Sequence, residues 1–314
     1  MQASSEKYRK NTRTWMGKTV GAEWQYNIFY FLIRCGGRRL AYFLLYFVVF
    51  YYVIFFPEQR KKTYFYLSHR FQSKNIFGRF LDSYRMMLNF GKILIDRAIT
   101  GIMGNKALNM KFNDQEVLLK LRNKNNGIIL MMSHVGCWKV AMYALNLFNA
   151  PVNLLMHREE GNVDNQYFEQ AGLSNIFKII DPGGYLGGTL EMMEALKNNE
   201  ILSVMGDRVI DLTRNVTDVK FLGEDAPFHY SPFKIASVTG APVVVLFSNK
   251  TGPDSYELEI ADIIHVPENL RRSGKIFKPY VERYVKTLEA FTDKHPYQFF
   301  NFYDMWNSRC ISTV

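Results

Sequence analysis

The sequence has few of the residues that build disulfide or metal sites. Its 314 residues include three cysteines, Cys35, Cys137 and Cys310, and six widely spaced histidines. Neither a Cys-x-x-Cys nor a His-x-x-x-His spacing occurs, so we predict no disulfide framework, no metal site and a reducing compartment. The chain also lacks a P-loop and a glycine fingerprint for dinucleotides. We therefore expect no bound cofactor.

Acidic residues are scarce in the first quarter of the chain. Residues 1–74 contain 13 Lys and Arg but only three Asp or Glu, whereas bases and acids from 75 to 314 are equal in number. The whole formal charge of +10 therefore lies in an N-terminal arm. A nucleic-acid-binding domain more often carries its basic face on the folded body. An arm that binds an anionic polymer is the alternative, but we expect no nucleic-acid partner and an anionic membrane surface instead.

Charge is absent altogether from Leu40 to Phe56, seventeen residues of which nine are Phe or Tyr. A membrane-spanning helix needs roughly 20 apolar residues, with about 17 as the lower limit. Basic residues flank both ends, which gives no clear orientation and favours an interfacial or re-entrant arrangement over a span. The alternative is a buried helix of a soluble domain. We predict a membrane-attached segment within a domain of residues 1–74.

Residues 75–314 predict an α/β domain whose mainly parallel central sheet is flanked by helices. Short apolar runs alternate with helical patterns, which is typical of parallel sheets covered on both sides. The predicted helices cover 65–104, 138–147, 164–171, 189–197, 233–239 and 277–291, and the predicted strands cover 127–132, 152–156, 177–180, 201–205, 242–248 and 256–264. Ligands bind beyond the carboxyl ends of such strands.

Two polar groups follow predicted strands directly. His134 comes after the first strand, where an imidazole could act as a general base or be an ordinary loop histidine. Gly206-Asp207-Arg208 follows the fourth strand and could bind a phosphate, orient an acceptor or form a local ion pair. A nucleophilic pair of Cys137 with His134 is conceivable, but nothing else marks that thiol as activated.

Four blocks, in this order, resemble those of the lipid A late acyltransferases, the lauroyl and myristoyl transferases of the lysophospholipid acyltransferase superfamily. The blocks are SHVGCWKVAM at 133–142, SVMGDRV at 203–209, FLGEDAPF with SPFKIASVTGAPVV over 221–244, and PYQFFNFYDMW at 296–306. The resemblance covers most of the chain. Within this family, the chain resembles a branch of predicted bacterial acyltransferases that carries a Gly-Asp-Arg block.

The resemblance implies transfer of a fatty acyl chain from an acyl carrier protein or coenzyme A thioester to a hydroxyl or amine of a membrane lipid. The resemblance also implies that the enzyme acts at the cytoplasmic face of the bacterial inner membrane and needs no metal ion. His134 matches the family's general base, and we expect Asp207 to assist it. The residues expected to line the acceptor and acyl pockets are Ser133, Gly136, Trp138, Lys139, Arg158, Gly206, Arg208, Phe221, Leu222 and Gly223.

The chain departs from the family at one position. The family places Asp or Glu five residues after the histidine, and this sequence has Lys139. A protonated lysine cannot accept a hydrogen bond from imidazole. Another acceptor such as Asp207, Glu159 or a backbone carbonyl then orients His134, or no carboxylate is needed. The remaining alternative is a catalytically inactive relative that binds lipid or acyl carrier protein as a scaffold.

The donor and acceptor stay open. A basic cluster, Arg271, Arg272, Lys275 and Lys278, is either a solvated face or a dock for an acidic carrier protein, and it favours the carrier as donor.

Overall fold

A computed structural model of the protein describes residues 23–72, 75–103, 107–124, 126–138, 151–156, 177–209, 215–270 and 273–307. The described helices are α1 (Glu23–Phe55), α2 (Pro57–Arg70), α3 (Ile76–Met103), α4 (Gln115–Arg122), α5 (Thr189–Lys197), α6 (Ser231–Thr239) and α7 (Gly274–Lys294). The described strands are β1 (Asn109–Phe112), β2 (Ile128–Met132), β3 (Val152–Leu155), β4 (Phe177–Ile180), β5 (Ile201–Met205), β6 (Val216–Phe221), β7 (Glu224–His229), β8 (Val243–Lys250) and β9 (Ser255–Ile264). The helix predicted over 164–171 lies outside these ranges, as does the helix predicted over 138–147 except for Trp138.

Seven strands form the central sheet in the order β1-β9-β8-β2-β5-β3-β4. Every neighbouring pair is parallel except β8 and β9. This confirms the predicted α/β class with a mainly parallel sheet. The strands β2 and β5 lie at its centre, and β6 and β7 form a separate antiparallel hairpin.

The central strands are buried on both faces, which explains their uninterrupted apolar sequences. In β2, Ile129 and Met131 contribute to a core shared with α5, α6, α7 and the hairpin. Ile128, Leu130 and Met132 contribute to the opposite core, shared with α4. Successive side chains of a strand point to opposite faces, so both cores meet at the strand that precedes His134.

The predicted hydrophobic segment lies in α1, which is kinked at Gly37. Its stretch Ile28–Phe55 is long and apolar enough to cross a membrane, although only 22% of that window is buried. One stripe packs against α3, and the opposite face leaves large apolar side chains in solvent. The packed stripe contains Ile33, Ala41, Leu45, Val49 and Val53; the exposed face contains Ile28, Tyr30, Phe31, Phe43, Tyr46, Phe47, Phe50, Tyr51, Ile54 and Phe55.

A buried carboxylate ties α1 and α3 to the sheet. Asp96 on α3 is fully buried and accepts hydrogen bonds from Arg38 Nε (3.1 Å) and Tyr42 Oη (2.7 Å) of α1. It also accepts from Lys250 Nζ (2.5 Å) at the end of β8 and from Tyr256 Oη (2.6 Å) of β9. We call these five residues the Asp96 cluster. It fixes the apolar helix to the strand next to β2.

The structure differs from the predicted elements at several places, and β1 and α4, for example, were not predicted. The helix predicted over 65–104 is divided between two helices, α2 and α3. Asn75 Oδ1 accepts a hydrogen bond from the Gly78 amide (2.8 Å) and caps the start of α3. The hairpin of β6 and β7 was not predicted. Its turn needs positive φ at Leu222 (53°) and Gly223 (92°), and Leu222 is an unusual residue for that conformation.

We predict that Asp96→Ala lowers the free energy of unfolding by about 3–5 kcal/mol, because Lys250 and Arg38 would keep buried charges without their carboxylate. Urea unfolding in a neutral detergent, followed by circular dichroism, measures the loss. Asp254→Asn is the control: Asp254 is 53% exposed and 3.8 Å from Arg38 Nη1, so its loss should cost less than about 1 kcal/mol. Equal losses in the two variants would contradict the assigned role of the cluster.

Candidate active site

The register of two central strands brings His134 and Asp207 together. Met132 and Met205, the last residues of β2 and β5, are directly paired in the parallel ladder. His134 and Asp207 each follow two residues later, so both side chains lie at the same level beyond the sheet. The Gly206 amide donates to Met132 O (2.8 Å) and extends the ladder by one bond.

Asp207 holds one side of the imidazole. His134 Nδ1 lies 3.0 Å from Asp207 Oδ1 and 3.1 Å from Oδ2, and the backbone amide of His134 donates to Oδ2 (3.1 Å). The Asp207 side chain is fully buried, whereas that of His134 is 22% exposed. A carboxylate at Nδ1 selects the tautomer with its proton on Nδ1 and leaves the lone pair on Nε2. The arrangement suits a general base.

The surroundings favour a neutral imidazole beside an ionised carboxylate. Burial lowers the pKa of His134, and the nearby Arg208 charge acts in the same direction, while Asp207 opposes both. For Asp207, burial alone would raise the pKa, but the charges of His134 and Arg208 and the hydrogen bonds from His134 lower it below its usual range. The ring is therefore unprotonated, and ready to accept a proton, at neutral pH.

The C-terminal segment holds the loop that carries His134. Val135 forms an antiparallel bridge with Phe299; the Gly136 amide donates to Gln298 O (2.8 Å), and the Phe300 amide donates to His134 O (2.8 Å). Two further contacts come from tyrosines: Tyr303 Oη donates to Asp207 O (3.1 Å), and Tyr284 Oη is hydrogen-bonded to Ser133 Oγ (2.6 Å). The site loop is thus fixed from both sides.

Two glycines leave room for this arrangement. Gly136 has a φ of +50°, and a β-carbon there would lie 1.8 Å from Ser248 O of β8. A β-carbon on Gly206 would lie 2.5 Å from Met131 Cε and 2.7 Å from Tyr284 Oη. A larger residue at Gly136 would push the His134 loop away from the backbone of β8, whereas one at Gly206 would have to displace the ends of the Met131 and Tyr284 side chains.

A cavity of about 190 Å³ opens beside His134. Its lining is mostly apolar, with two arginines among the described residues. The lining residues are Phe90, Ile93, Arg97, His134, Gly136, Cys137, Trp138, Arg208, Phe300 and Phe302. No role was predicted from the sequence for Arg97, for Tyr284 or for the phenylalanines that line the cavity. Only the aromatic block at 296–306 pointed to some of them, since it was part of the resemblance.

The predicted substrate-binding residues fall into three groups. Gly136, Trp138 and Arg208 line the cavity with His134, while Ser133 and Gly206 lie behind it, against Tyr284. Phe221 is buried in the core and stacks on Trp306, and Leu222 and Gly223 form the hairpin turn beside another cleft lined by His69 and Glu289. The assignment of these three to a substrate pocket stays a prediction. Lys139 and Arg158 lie outside the described residues.

Cys137 also lines the cavity, but it is almost fully buried in an apolar cluster with Ile93, Leu108 and Phe300. A buried cysteine in such surroundings usually behaves as a small hydrophobic residue. No group of three His, Cys, Asp or Glu side chains in the described part of the chain could hold a metal ion.

A histidine oriented by a buried carboxylate, at the carboxyl end of a mainly parallel sheet and beside a mostly apolar cavity, has the geometry that general bases have in group-transfer and hydrolytic enzymes. A model of the bacterial lipid A biosynthesis acyltransferase family matches residues 9–308. The chain belongs to this family. Comparison with curated proteins gave no match. Family membership implies acyltransferase activity in lipid biosynthesis, and together with the apolar α1 it indicates membrane association.

We predict that the His134 imidazole titrates below its ordinary pKa of about 6.5 and is protonated on Nδ1 at pH 7. Because the unfolded chain protonates this histidine more readily, its contribution to stability is complete above pH 6.5. That contribution is lost as the pH falls from 6.5 through the folded-state pKa. NMR of ¹⁵N-histidine-labelled protein measures both the pKa and the tautomer of His134. The signal that is missing in His134→Gln identifies the residue. Titration above 6.5, or a proton on Nε2, would contradict the geometry.

Proposed function

We propose that the protein transfers a fatty acyl chain from an acyl thioester to a hydroxyl or amine of a membrane lipid, with His134 as general base. The observation that carries the proposal is the Asp207 carboxylate at His134 Nδ1. It supplies from β5 the hydrogen-bond acceptor that the family otherwise places five residues after the histidine, where this chain has Lys139. The Asp207 contact therefore supports an active enzyme despite the departure at Lys139.

In the proposed reaction His134 Nε2 takes the proton of the acceptor as its oxygen or nitrogen attacks the thioester carbonyl. The buried Asp207 stabilises the imidazolium that forms. The tetrahedral intermediate then collapses, the carbon–sulfur bond breaks, and the thiolate receives the proton from His134. The products are an ester or amide and a free thiol.

Negative charge develops on the carbonyl oxygen, and Arg208 is the group we assign to it. Two amides of the site loop are already engaged, since His134 donates to Asp207 and Gly136 to Gln298. Arg208 lines the same cavity as His134. Burial lowers the pKa of Arg208 and the Asp207 charge raises it, so it remains a cation in an apolar setting where its field is strong.

We propose that α1 lies in the membrane interface and does not cross the bilayer. Its buried stripe from Ile33 to Val53 packs on α3, which contributes Phe90, Ile93 and Arg97 to the cavity. A helix bound to the body over about 30 Å could cross the hydrocarbon only if α3 and the buried Asp96 crossed with it. The exposed aromatic face instead suits the headgroup boundary, about one helix diameter from the cavity.

The bacterial inner membrane, with the body on its cytoplasmic face, is the proposed location, and acyl carrier protein is the proposed donor. Thioester donors are cytoplasmic molecules, so the site must open on that side. Lys275 and Lys278 are the described members of the basic cluster at α7 that would meet an acidic carrier, and Lys278 also lies 4.0 Å from Glu282. The basic arm would meet the anionic membrane surface.

We expect His134→Gln to lower acyl transfer by about 10²- to 10⁴-fold, and Asp207→Asn to lower it to a similar extent, because the base and its orientation are lost in turn. Release of free thiol from an acyl thioester by the purified enzyme, in the presence of the cells' lipid extract, gives the rates. Mass spectrometry of lipids from complemented cells names the product. His265→Gln, an exposed histidine, is the matched control and should retain full activity.

Retained turnover in His134→Gln would overturn the mechanism. A wild-type protein that binds lipid or carrier protein but transfers nothing would favour the scaffold alternative. Lys139→Glu separates the two sources of a carboxylate: we expect no gain in rate, because Asp207 already occupies Nδ1. A large gain would mean that Asp207 does not serve the histidine.

The interfacial position of α1 predicts that both of its flanks lie on the same side of the membrane. In a background in which Cys35 and Cys310 are replaced by serine, we expect Arg39→Cys, Lys62→Cys and Lys278→Cys to resist a membrane-impermeant maleimide in intact spheroplasts. All three should react after permeabilisation. Reaction at only one of the two α1 flanks in intact spheroplasts would show a spanning helix. Reaction at all three positions in intact spheroplasts would place the body on the outer face of the inner membrane.

A further inference from the structure

The connection between β4 and α5 presents large apolar side chains to solvent. Tyr185, Leu186 and Leu190 are 76%, 59% and 55% exposed, and we call these three residues the Tyr185 patch. No charged residue occurs from 182 to 190. Single exposed apolar side chains are ordinary on a protein surface, but three of them within six uncharged residues need an explanation.

The backbone that carries the patch is folded back on itself. The Gly183 amide donates to Asp181 Oδ1 (2.8 Å), and the Gly184 amide donates to Asp181 O (3.0 Å). Thr189 Oγ1 donates to Leu186 O (2.6 Å). Several polar groups of the loop thus find their partners within it, which lowers the cost of moving the loop into a less polar medium.

The conformation of Leu186 also favours a contact outside the chain. Its φ of 50° lies in the left-handed region, which costs free energy for leucine and which Gly or Asn adopts more easily. The side chain is mostly exposed, so packing within the protein offsets little of that cost. Burial against an external apolar surface would offset it.

The Tyr185 patch lies at the edge of the sheet that carries His134. Each neighbouring pair among β2, β5, β3 and β4 is parallel, so the loop after β4 leaves the sheet at the same carboxyl edge as the His134 loop. On the other side of His134, the Asp96 cluster fixes α1 to Lys250 at the end of β8, and Tyr42 Oη donates to Pro253 O in the turn that follows (3.1 Å). With strands about 4.8 Å apart, β4 lies about 14 Å from β2, and β8 lies about 5 Å from it on the other side.

The size and charge of the patch favour a lipid surface over a second protein. Three side chains of this kind expose on the order of 300 Å², well below the roughly 800 Å² per partner of a stable protein interface. The charged residues that flank the loop in sequence, Asp181 and Glu191, are acidic, so attraction to an anionic surface must come from apolar burial. Apolar side chains can enter the headgroup boundary without a surface of complementary shape.

We propose that the Tyr185 patch is a second membrane contact, which acts together with the exposed face of α1 and turns the carboxyl edge of the sheet toward the bilayer. The proposal rests on the interfacial position of α1 proposed above. A single helix in the interface leaves the body free to rotate about the helix axis, whereas two contacts on either side of His134 determine which edge faces the lipid. A lipid acceptor would then reach the base without leaving the interface.

Quenching by lipids measures this contact in the full-length protein. In a background in which Cys35 and Cys310 are replaced by serine, Leu186→Cys and Leu190→Cys each carry a fluorescent maleimide label. The labelled protein is bound to vesicles of phosphatidylethanolamine and phosphatidylglycerol with brominated acyl chains. We expect both labels to lose fluorescence relative to vesicles without bromine, because they would lie about 5–10 Å into the headgroup and acyl boundary.

Val238→Cys is the matched control. Val238 is 57% exposed at the end of α6, which leads into the start of β8 and so lies at the opposite edge of the sheet. Its label should keep its fluorescence, whereas a label at Phe43→Cys, on the exposed face of α1, should lose it. Equal quenching at Leu186 and Val238 would overturn the proposal, since no edge would then face the membrane.

The Phe43 label separates the failure of this proposal from the failure of the one on which it rests. Quenching at Phe43 without quenching at Leu186 would overturn the second contact and keep α1 in the interface. Quenching at Leu186 without quenching at Phe43 would keep the second contact and reject the position of α1. Neither result depends on the turnover of His134→Gln, so the reaction mechanism is tested independently.

Discussion

The site depends on the register between β2 and β5, which makes the two strands end at the same level. Because Met132 and Met205 are paired in the ladder, the residues two places further on start at the same level, and the hydrogen bonds of the two loops then hold them together. A shift of one residue in this register would turn every side chain of β5 to the other face of the sheet. Both faces are packed, so the register is fixed by the burial of two cores, and the distance between His134 and Asp207 is fixed with it.

This long-range origin distinguishes the Asp207 contact from the carboxylate that the family motif places five residues after the histidine, where this chain has Lys139. A carboxylate five residues after the histidine is local, and it orients the ring only if the following segment is helical. Asp207 reaches Nδ1 from the loop that follows β5, 73 residues away in sequence. Its position is set by the sheet, and its charge is stabilised by Arg208 and by the His134 amide. The imidazole is therefore oriented independently of the chain that follows Trp138.

Much of the sheet could be predicted from local patterns, and the site only in part. The strands Phe177–Ile180 and Ile201–Met205 and the helix Thr189–Lys197 have the predicted limits, because apolar runs and flanking glycines are local signals. The pairing of His134 with Asp207 was one of several open alternatives, since strand order and register are not visible in one sequence. The place of Arg97 in the cavity lining could not be predicted, because it depends on how α3 packs beside the His134 loop.

The same helix explains how a site built on a sheet can serve a lipid. α3 has one side on the apolar α1, one residue in the Asp96 cluster and a third side on the cavity. The Asp96 cluster holds α1 to Lys250 of β8, and the backbone of β8 touches Gly136 in the His134 loop. The apolar helix α1 and the histidine are thus parts of one packed body. A substrate lipid drawn from the interface would need to move only about the width of α3 to reach the base.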